Sequence, residues 1–279
     1  MEPYLIALDL DGTLLRSDMT IGEKTKAILQ KLHAKGHQIT IATGRILKLA
    51  ATVPTDLEMP AHVVACNGAL VKHADHGIIA AHTYSDEQRQ QLEQSLKQIE
   101  LALQPTKPYG LYYHYYSEDT IYASALEHTA KKFAQVSSKR LESERVNLVI
   151  LPAKSRATNV YKYGIYRDGS YDFDKARNML DQIPGLSTMF SAPNLLDIMR
   201  DGVTKWTGIL ELATHLGIPE SRIMVFGDNE NDLEMLEKAG VSVAMGNAAA
   251  EIKAVAKHTT ETNDQEGIYT FLQSYFEME

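Results

Sequence analysis

The sequence predicts an α/β protein in which both ends of the chain build a parallel-sheet core and an α+β domain is inserted between them. Three observations carry that expectation. Short apolar runs alternate with helical patterns over residues 4–66, and the same alternation returns over residues 205–276. Between them the pattern changes to Tyr-rich alternating runs mixed with helical stretches. At 279 residues the chain is long enough for one large domain or two ordinary ones, and two is the expectation.

Residues 4–8 form an apolar run that meets acidic residues and then Gly12-Thr13, as a buried strand ending in a loop does. Residues 21–34 place Ile21, Ala27, Ile28 and Leu32 at helical spacing, with Gly36 as the stop. Strands at 38–42 and 62–66, with a helical stretch from about residue 46 between them, complete a βαβαβ unit. In the C-terminal part a helix over 205–216 stops at Gly217, and a strand at 222–226 runs into Gly227-Asp228. A helix at 231–239, a strand at 241–244, a short strand near 257–260 and a helix at 267–276 follow. Inside the insert, helical patterns fall at 87–99, 121–133 and 171–180, and strand-like alternation at 111–116 and 159–166. The expected domains are therefore 1–83 with 197–279 as the core, and 84–196 as the insert.

Composition excludes several classes. Lys and Arg number 28 against 36 Asp and Glu, a net charge of −8 with no long basic block, so nucleic acid and anionic membranes are not expected partners. An anionic substrate would need a local cation to draw it in. Cys66 is the only cysteine, so no intrachain disulfide can form and a cytoplasmic protein is expected. The first residues lack the basic region of a secretory leader, and no apolar stretch approaches the roughly 18 residues of a membrane span. Nothing in the sequence sets an oligomeric state.

The reactive residues fall in one kind of place. Asp9 and Asp11 follow the first strand, Thr43-Gly44-Arg45 the second, Asn67-Gly68 the third, and Gly227-Asp228 the strand at 222–226. The carboxyl edge of an open α/β sheet is where ligands bind, so these segments should converge on one crevice. Asp228 and Asp232 would add two acids to Asp9 and Asp11. At an effective dielectric of about 20, two unit charges about 4 Å apart repel by about 4 kcal/mol, so such a cluster needs a cation or must take up protons. A hard cation with oxygen ligands suits it, and Mg²⁺ fits best because it uses one or two carboxylates and leaves room for a phosphate oxygen.

These strings, Asp9-Leu-Asp11-Gly12-Thr13-Leu14, Thr43-Gly44-Arg45, Asn67-Gly68-Ala69, Gly202-Val-Thr-Lys205 and Gly227-Asp228-Asn-Glu-Asn231-Asp232, resemble in order and spacing the motifs of the haloacid dehalogenase-like superfamily. The nearest likeness is to its Cof-type phosphatase branch, which also shows strings like Ala244-Met245-Gly246-Asn247-Ala248. The resemblance implies a Rossmann-like core with an α+β cap at the position of the insert, and a Mg²⁺-dependent phosphatase acting on small phosphorylated metabolites such as sugar phosphates, nucleotides, FMN or pyridoxal phosphate. It implies Asp9 as the nucleophile that becomes an aspartyl-phosphate, and Asp11 as general acid and then base, its backbone carbonyl also on the metal. Asp9 and Asp228 would supply the other protein ligands, with Asn231 and Asp232 orienting Asp228, metal-bound waters or Lys205. Thr43, by hydroxyl and backbone N–H, and Lys205, by charge, would hold the phosphate. Gly12 would let the backbone approach it, and Gly44 and Asn67 would line the substrate site.

Plainer readings stand beside these. Arg45 is as well explained by an ion pair with a surface acid as by substrate binding, and Gly246-Asn247 by a turn that shapes the pocket. Tyr109, Tyr112, Tyr113, Tyr115, Tyr116 and Tyr122 suit sheet packing better than ligand stacking. No zinc site is expected, since no HExxH string occurs, and no P-loop or GxGxxG string occurs either. Two rivals share the same residues: a phosphomutase or phosphotransferase of the superfamily, and a non-catalytic metabolite-binding protein.

Overall fold

Leu5–Leu8, strand β1, lies at the centre of an eight-stranded sheet in the computed structural model, which describes residues 2–128, 130, 131, 146–151 and 157–277. It is buried on both faces, which is why its sequence is an unbroken apolar run and not an alternation. Ile6 and Leu8 pack with the helices Glu23–Ala34 and Gly267–Tyr275. Leu5 and Ala7 face the opposite layer, where Lys205–Leu216, Leu233–Lys238 and Ala250–Val255 pack.

On one side of β1 lie β2 (Gln38–Ala42), β3 (His62–Ala65), β4 (Leu70–His73) and β5 (Gly77–Ala81). On the other lie β12 (Ile223–Gly227), β13 (Val241–Ala244) and β14 (His258–Thr259). The strands from β3 through β1 to β14 pair in parallel, and β4 runs antiparallel to β3. Strand order reverses at β1, so a crevice opens at the carboxyl ends of β1, β2 and β12, the switch point of an open α/β sheet.

A second sheet has the order β10-β11-β9-β6-β7-β8. Its members are β6 (Tyr113–Tyr116), β7 (Thr120–Ala123), β8 (Asn147–Ile150), β9 (Lys162–Tyr166), β10 (Leu186–Ala192) and β11 (Leu195–Arg200). One face carries Tyr115, Tyr163, Ile165, Leu196 and Ile198 against the helices Asp86–Leu103 and Phe173–Leu180. The tyrosines of this region pack: Tyr115 and Tyr122 sit opposite each other on β6 and β7 and stack with ring centroids 4.9 Å apart. The other face holds a fully buried ion pair, Lys162 Nζ to Asp197 Oδ2 at 2.7 Å, which no motif announced.

The chain divides into two compact units, one of Met1–Arg45, Ala50–Ala80 and Thr204–Glu279, the other of Ile46–Leu49 and Ala81–Val203. The return to the first unit comes at Thr204 and not at 197, because β11 extends to Arg200 in antiparallel pairing with β9 and β10. The helical pattern at 121–133 gives way to strand β7 at its start, where Ile121 and Tyr122 take β6 partners. Pairing there overrides local helix propensity. Phe133, at the end of that pattern, lies outside the described residues.

Candidate active site

Asp9 is the first residue beyond β1, and its backbone N–H donates to the Phe226 carbonyl at 3.0 Å, extending the β1–β12 ladder by one step. That step aims the carboxylate into the crevice at the switch point. Lys205 meets it there: its Nζ donates to Asp9 Oδ1 at 2.6 Å and to Asp232 Oδ1 at 2.7 Å. Lys205 is the first residue of its helix, where the helix dipole disfavours a cation, so only the two acids account for its placement. Thr204 and Thr207 form a reciprocal capping box that fixes the start of that helix.

Gly68 sets the approach of this helix. It follows β3 at φ +95°, and a Cβ there would collide with the carbonyl oxygen of Thr204. Gly68→Ala is therefore expected to destabilise the protein by about 1–3 kcal/mol from backbone strain alone, and to lower activity by displacing Lys205. A urea midpoint within error of the parent protein would contradict this.

Asp228 follows β12. Its Oδ1 accepts from Thr13 Oγ1 at 2.9 Å and its Oδ2 from Asn247 Nδ2 at 3.4 Å. Gly12 makes room for it: at φ +88°, a Cβ on this residue would lie 2.5 Å from Asp228 Oδ2. The role of Gly12 here is thus to admit an acid, beyond the backbone approach to phosphate expected of it. Asp232, fully buried, uses Oδ2 to accept from the backbone N–H groups of Asp228 and Asn229 at 3.0 and 3.1 Å. With both oxygens engaged, Asp232 orients Lys205 and the Asp228 loop.

Asp9, Asp228 and Asp232 each bring a carboxylate oxygen within 4.8 Å of the others, with Lys205 as the ammonium among them. Burial, then Asp232 and Asp228, pushes the Asp9 carboxyl well above its ordinary value, although Lys205 opposes them. Asp228 is pushed up to about 6 by burial and by Asp232, with the Thr13 hydrogen bond working the other way. Burial works against the Lys205 charge too, but Asp232 and Asp9 more than offset it and hold its pKa above the usual lysine value. The excess of carboxylates over ammonium, all with oxygen donors, fits a hard divalent cation held by Asp9 and Asp228.

The sign of this strain is testable. A carboxyl whose pKa is raised on folding stabilises the fold below its unfolded value and loses that contribution as pH rises through the folded one. Without divalent metal, the chain should lose stability as pH climbs from about 4 past about 6, where Asp228 titrates. Added Mg²⁺ should restore it. Thermal melts at about pH 5 and about pH 7.5, with EDTA or excess Mg²⁺, check this; identical melts in all four conditions would contradict it.

The remaining expected site residues are placed as follows. Asp11 is half exposed and turned to Arg45, which grips both carboxylate oxygens through Nε, at 2.8 Å, and Nη2. The ion pair given as the plainer reading of Arg45 is thus formed, and the exposed acid that it holds belongs to the site. Thr43 is buried beyond β2, and its backbone N–H donates to the Val64 carbonyl at 2.8 Å. That N–H is therefore taken by the sheet, a correction to its expected phosphate role; the hydroxyl oxygen accepts from the Arg45 N–H at 3.1 Å and keeps its own proton to donate. Gly44 lies in the turn between Thr43 and Arg45. Asn67, in the left-handed region at φ 53°, accepts from Asn231 Nδ2 at 3.1 Å, so Asn231 ties the β3 and β12 loops together.

Thr13 and Asn247 were not among the expected site residues. Thr13 stands inside the first motif and could have been read from it. Asn247, which also donates to the Gly12 carbonyl at 2.9 Å, reaches the site from the loop after β13, where a turn reading was preferred. Among the described residues, no helix is long and apolar enough to cross a membrane.

Comparison with known proteins agrees with this geometry. A family model for haloacid dehalogenase-like hydrolases matches residues 6–272. The chain is 32% identical over 281 residues to the 5-amino-6-(5-phospho-D-ribitylamino)uracil phosphatase YitU of Bacillus subtilis (strain 168), covering 99% of each chain. It is 24% identical over 290 residues to YwtE of the same organism, named for the same activity, covering 96% of each. A solved haloacid dehalogenase-like hydrolase from B. subtilis superposes with a TM-score of 0.80 at 21% identity, covering 97% of this chain and 99% of that one, a likeness of fold. The chain belongs to the haloacid dehalogenase-like hydrolases, in their Cof-type branch, and is a phosphatase with a Rossmann-like core and a cap.

Proposed function

We propose that this phosphatase hydrolyses a small phosphomonoester through a phosphorylated Asp9 with Mg²⁺ as its cofactor, and that the ester is of the ribitylaminouracil phosphate class. The observation that carries the first part is the Asp9 carboxylate itself, held by Lys205 through one oxygen beside Asp228 at the carboxyl edge of the sheet. Support for the second is the shared name of the two B. subtilis relatives, one of them 32% identical along the whole chain.

An Asp9 oxygen attacks phosphorus in line and the bond from phosphorus to the ester oxygen breaks. Asp11 gives that oxygen its proton. In the second half Asp11 takes a proton from water, the water oxygen bonds to phosphorus, and the bond to Asp9 breaks to release phosphate. To reach the ester oxygen Asp11 must leave the Arg45 hydrogen bonds. Lys205 and the Thr43 hydroxyl meet the phosphoryl oxygens, and Asp232 keeps Lys205 charged. Asp9, Asp228 and the Asp11 carbonyl would hold Mg²⁺, whose positive charge would offset the repulsion between carboxylate and phosphate. The unit of Ala81–Val203 would serve as the cap that selects the leaving group, and a cytoplasmic setting would suit a metabolite substrate.

Phosphate release from 5-amino-6-(5-phospho-D-ribitylamino)uracil, a sugar phosphate and an aryl phosphate tests this. The expected result is hydrolysis of all three with Mg²⁺, with kcat/KM highest for the first. Preference for the sugar phosphate would overturn the substrate assignment alone; no hydrolysis of any would overturn the mechanism.

A further inference from the structure

Away from the acids, a second group of metal-ligand side chains converges in the same unit, and its chemistry is different. His73, His76 and His215 each bring a ring nitrogen within 4.8 Å of the others. His73 ends β4, His76 lies in the turn before β5, and His215 sits in the last turn of Lys205–Leu216.

Hydrogen bonds sort these rings by role. The turn after β4 presents three successive backbone N–H groups to histidine Nδ1 atoms. Ala74 donates to His62 at 3.1 Å, and Asp75 and His76 donate to His73 at 3.1 and 3.2 Å. A neutral imidazole that accepts at Nδ1 carries its proton at Nε2, and His62 Nε2 meets Gln38 Oε1 at 3.0 Å. Burial pushes the His62 pKa down to about 4, which keeps that ring neutral. His62 and His73 therefore fix the turn. The His73 ring also stacks on His76, with centroids 4.2 Å apart and planes 11° from parallel.

The turn so fixed points His76 Nδ1 at His215 Nε2, 3.3 Å away. Zinc-to-imidazole bonds of about 2.0–2.1 Å at a tetrahedral angle put two ligand nitrogens about 3.3–3.4 Å apart. The pair is spaced for one metal without rearrangement. Both rings are exposed, so the other coordination positions are open to water. The helix C-terminus beside His215 and the neighbouring Asp75 both favour positive charge.

We propose that His76 and His215 bind a divalent transition-metal ion of the zinc, nickel or copper class, pinning the β4–β5 turn to the far end of the helix that begins at Lys205. Donor chemistry separates the two sites: carboxylates select Mg²⁺ and imidazoles select the borderline-soft ion.

Titration calorimetry of Zn²⁺ into the full-length chain in millimolar Mg²⁺, with thermal melts alongside, tests this. One Zn²⁺ per chain and a raised melting temperature are expected, because the ion binds the folded state only. Loss of a second-shell partner weakens metal sites by about 10–100-fold, so the ligand double variant His76→Ala/His215→Ala should weaken binding by at least ~100-fold and abolish the thermal shift. Asp9→Asn should keep both. Unchanged Zn²⁺ binding in the double variant, loss of it in Asp9→Asn, or no binding by the parent chain would each overturn the proposal, the last leaving a histidine pair that only shares a proton.

Discussion

Asp9→Asn is expected to lower kcat by at least ~10⁴-fold, the scale on which removal of a covalent nucleophile acts, and to leave the protein folded. The two halves follow from one fact. The Asp9 carboxyl is pushed up by burial and by Asp232 and Asp228, so its charge is a burden to the fold that function retains. An amide of the same shape removes that charge, and its oxygen can still accept from Lys205, which keeps Asp232 as counter-ion. Urea denaturation should give a midpoint equal to or above that of the parent. Turnover within 10-fold of the parent would mean that phosphorus is attacked by another group.

Lys205→Met should behave in the opposite way, losing both activity and stability. The ammonium is fully buried between two buried carboxylates, and removing one partner of a buried ion pair costs about 3–5 kcal/mol because the other charge is left uncompensated. Without Lys205, which opposes the upward push on Asp9, the carboxyl pKa of Asp9 rises further. Stability that depends on a raised carboxyl pKa is lost as pH rises, so the deficit relative to the parent should shrink toward acid pH. Denaturation curves at about pH 5 and about pH 7.5 read this directly. A deficit that grows toward acid pH would show that Lys205 does not compensate those acids. The pair of variants separates chemistry from structure at a single hydrogen bond.

The core was legible in the sequence because it obeys the rules that sequence displays. A strand buried on both faces must be apolar throughout, and Leu5–Leu8 and Ile223–Gly227 are. The site was legible in part because the sheet topology gathers strand ends, so that Asp9 and Asp228 come together at the carboxyl edge, whereas Lys205, at a helix start, was expected only from the family resemblance. The second sheet was harder to read. Segment 121–133 is rich in helix-compatible residues, and its first residues become a strand only because β6 offers Tyr115 and Tyr116 as partners. β10 and β11 pair with each other and with β9, long-range partners that no local pattern encodes. The same holds for side-chain orientation. The TGR string said that Arg45 was near the site, but not that it would grip Asp11, and the His73-Ala74-Asp75-His76 string carries no metal signal by itself because the partner of His76, His215, comes from a distant segment.

The claim at the centre of this account is the covalent step at Asp9. Mixing enzyme, Mg²⁺ and substrate for a fraction of one turnover, quenching in acid, reducing with borohydride and sequencing peptides by mass spectrometry tests it. Borohydride converts an aspartyl-phosphate to homoserine, and the account predicts homoserine at position 9 in the parent and none in Asp9→Asn. Parent enzyme that releases phosphate at full rate with no modification at Asp9, or with the modification on another residue, would contradict it.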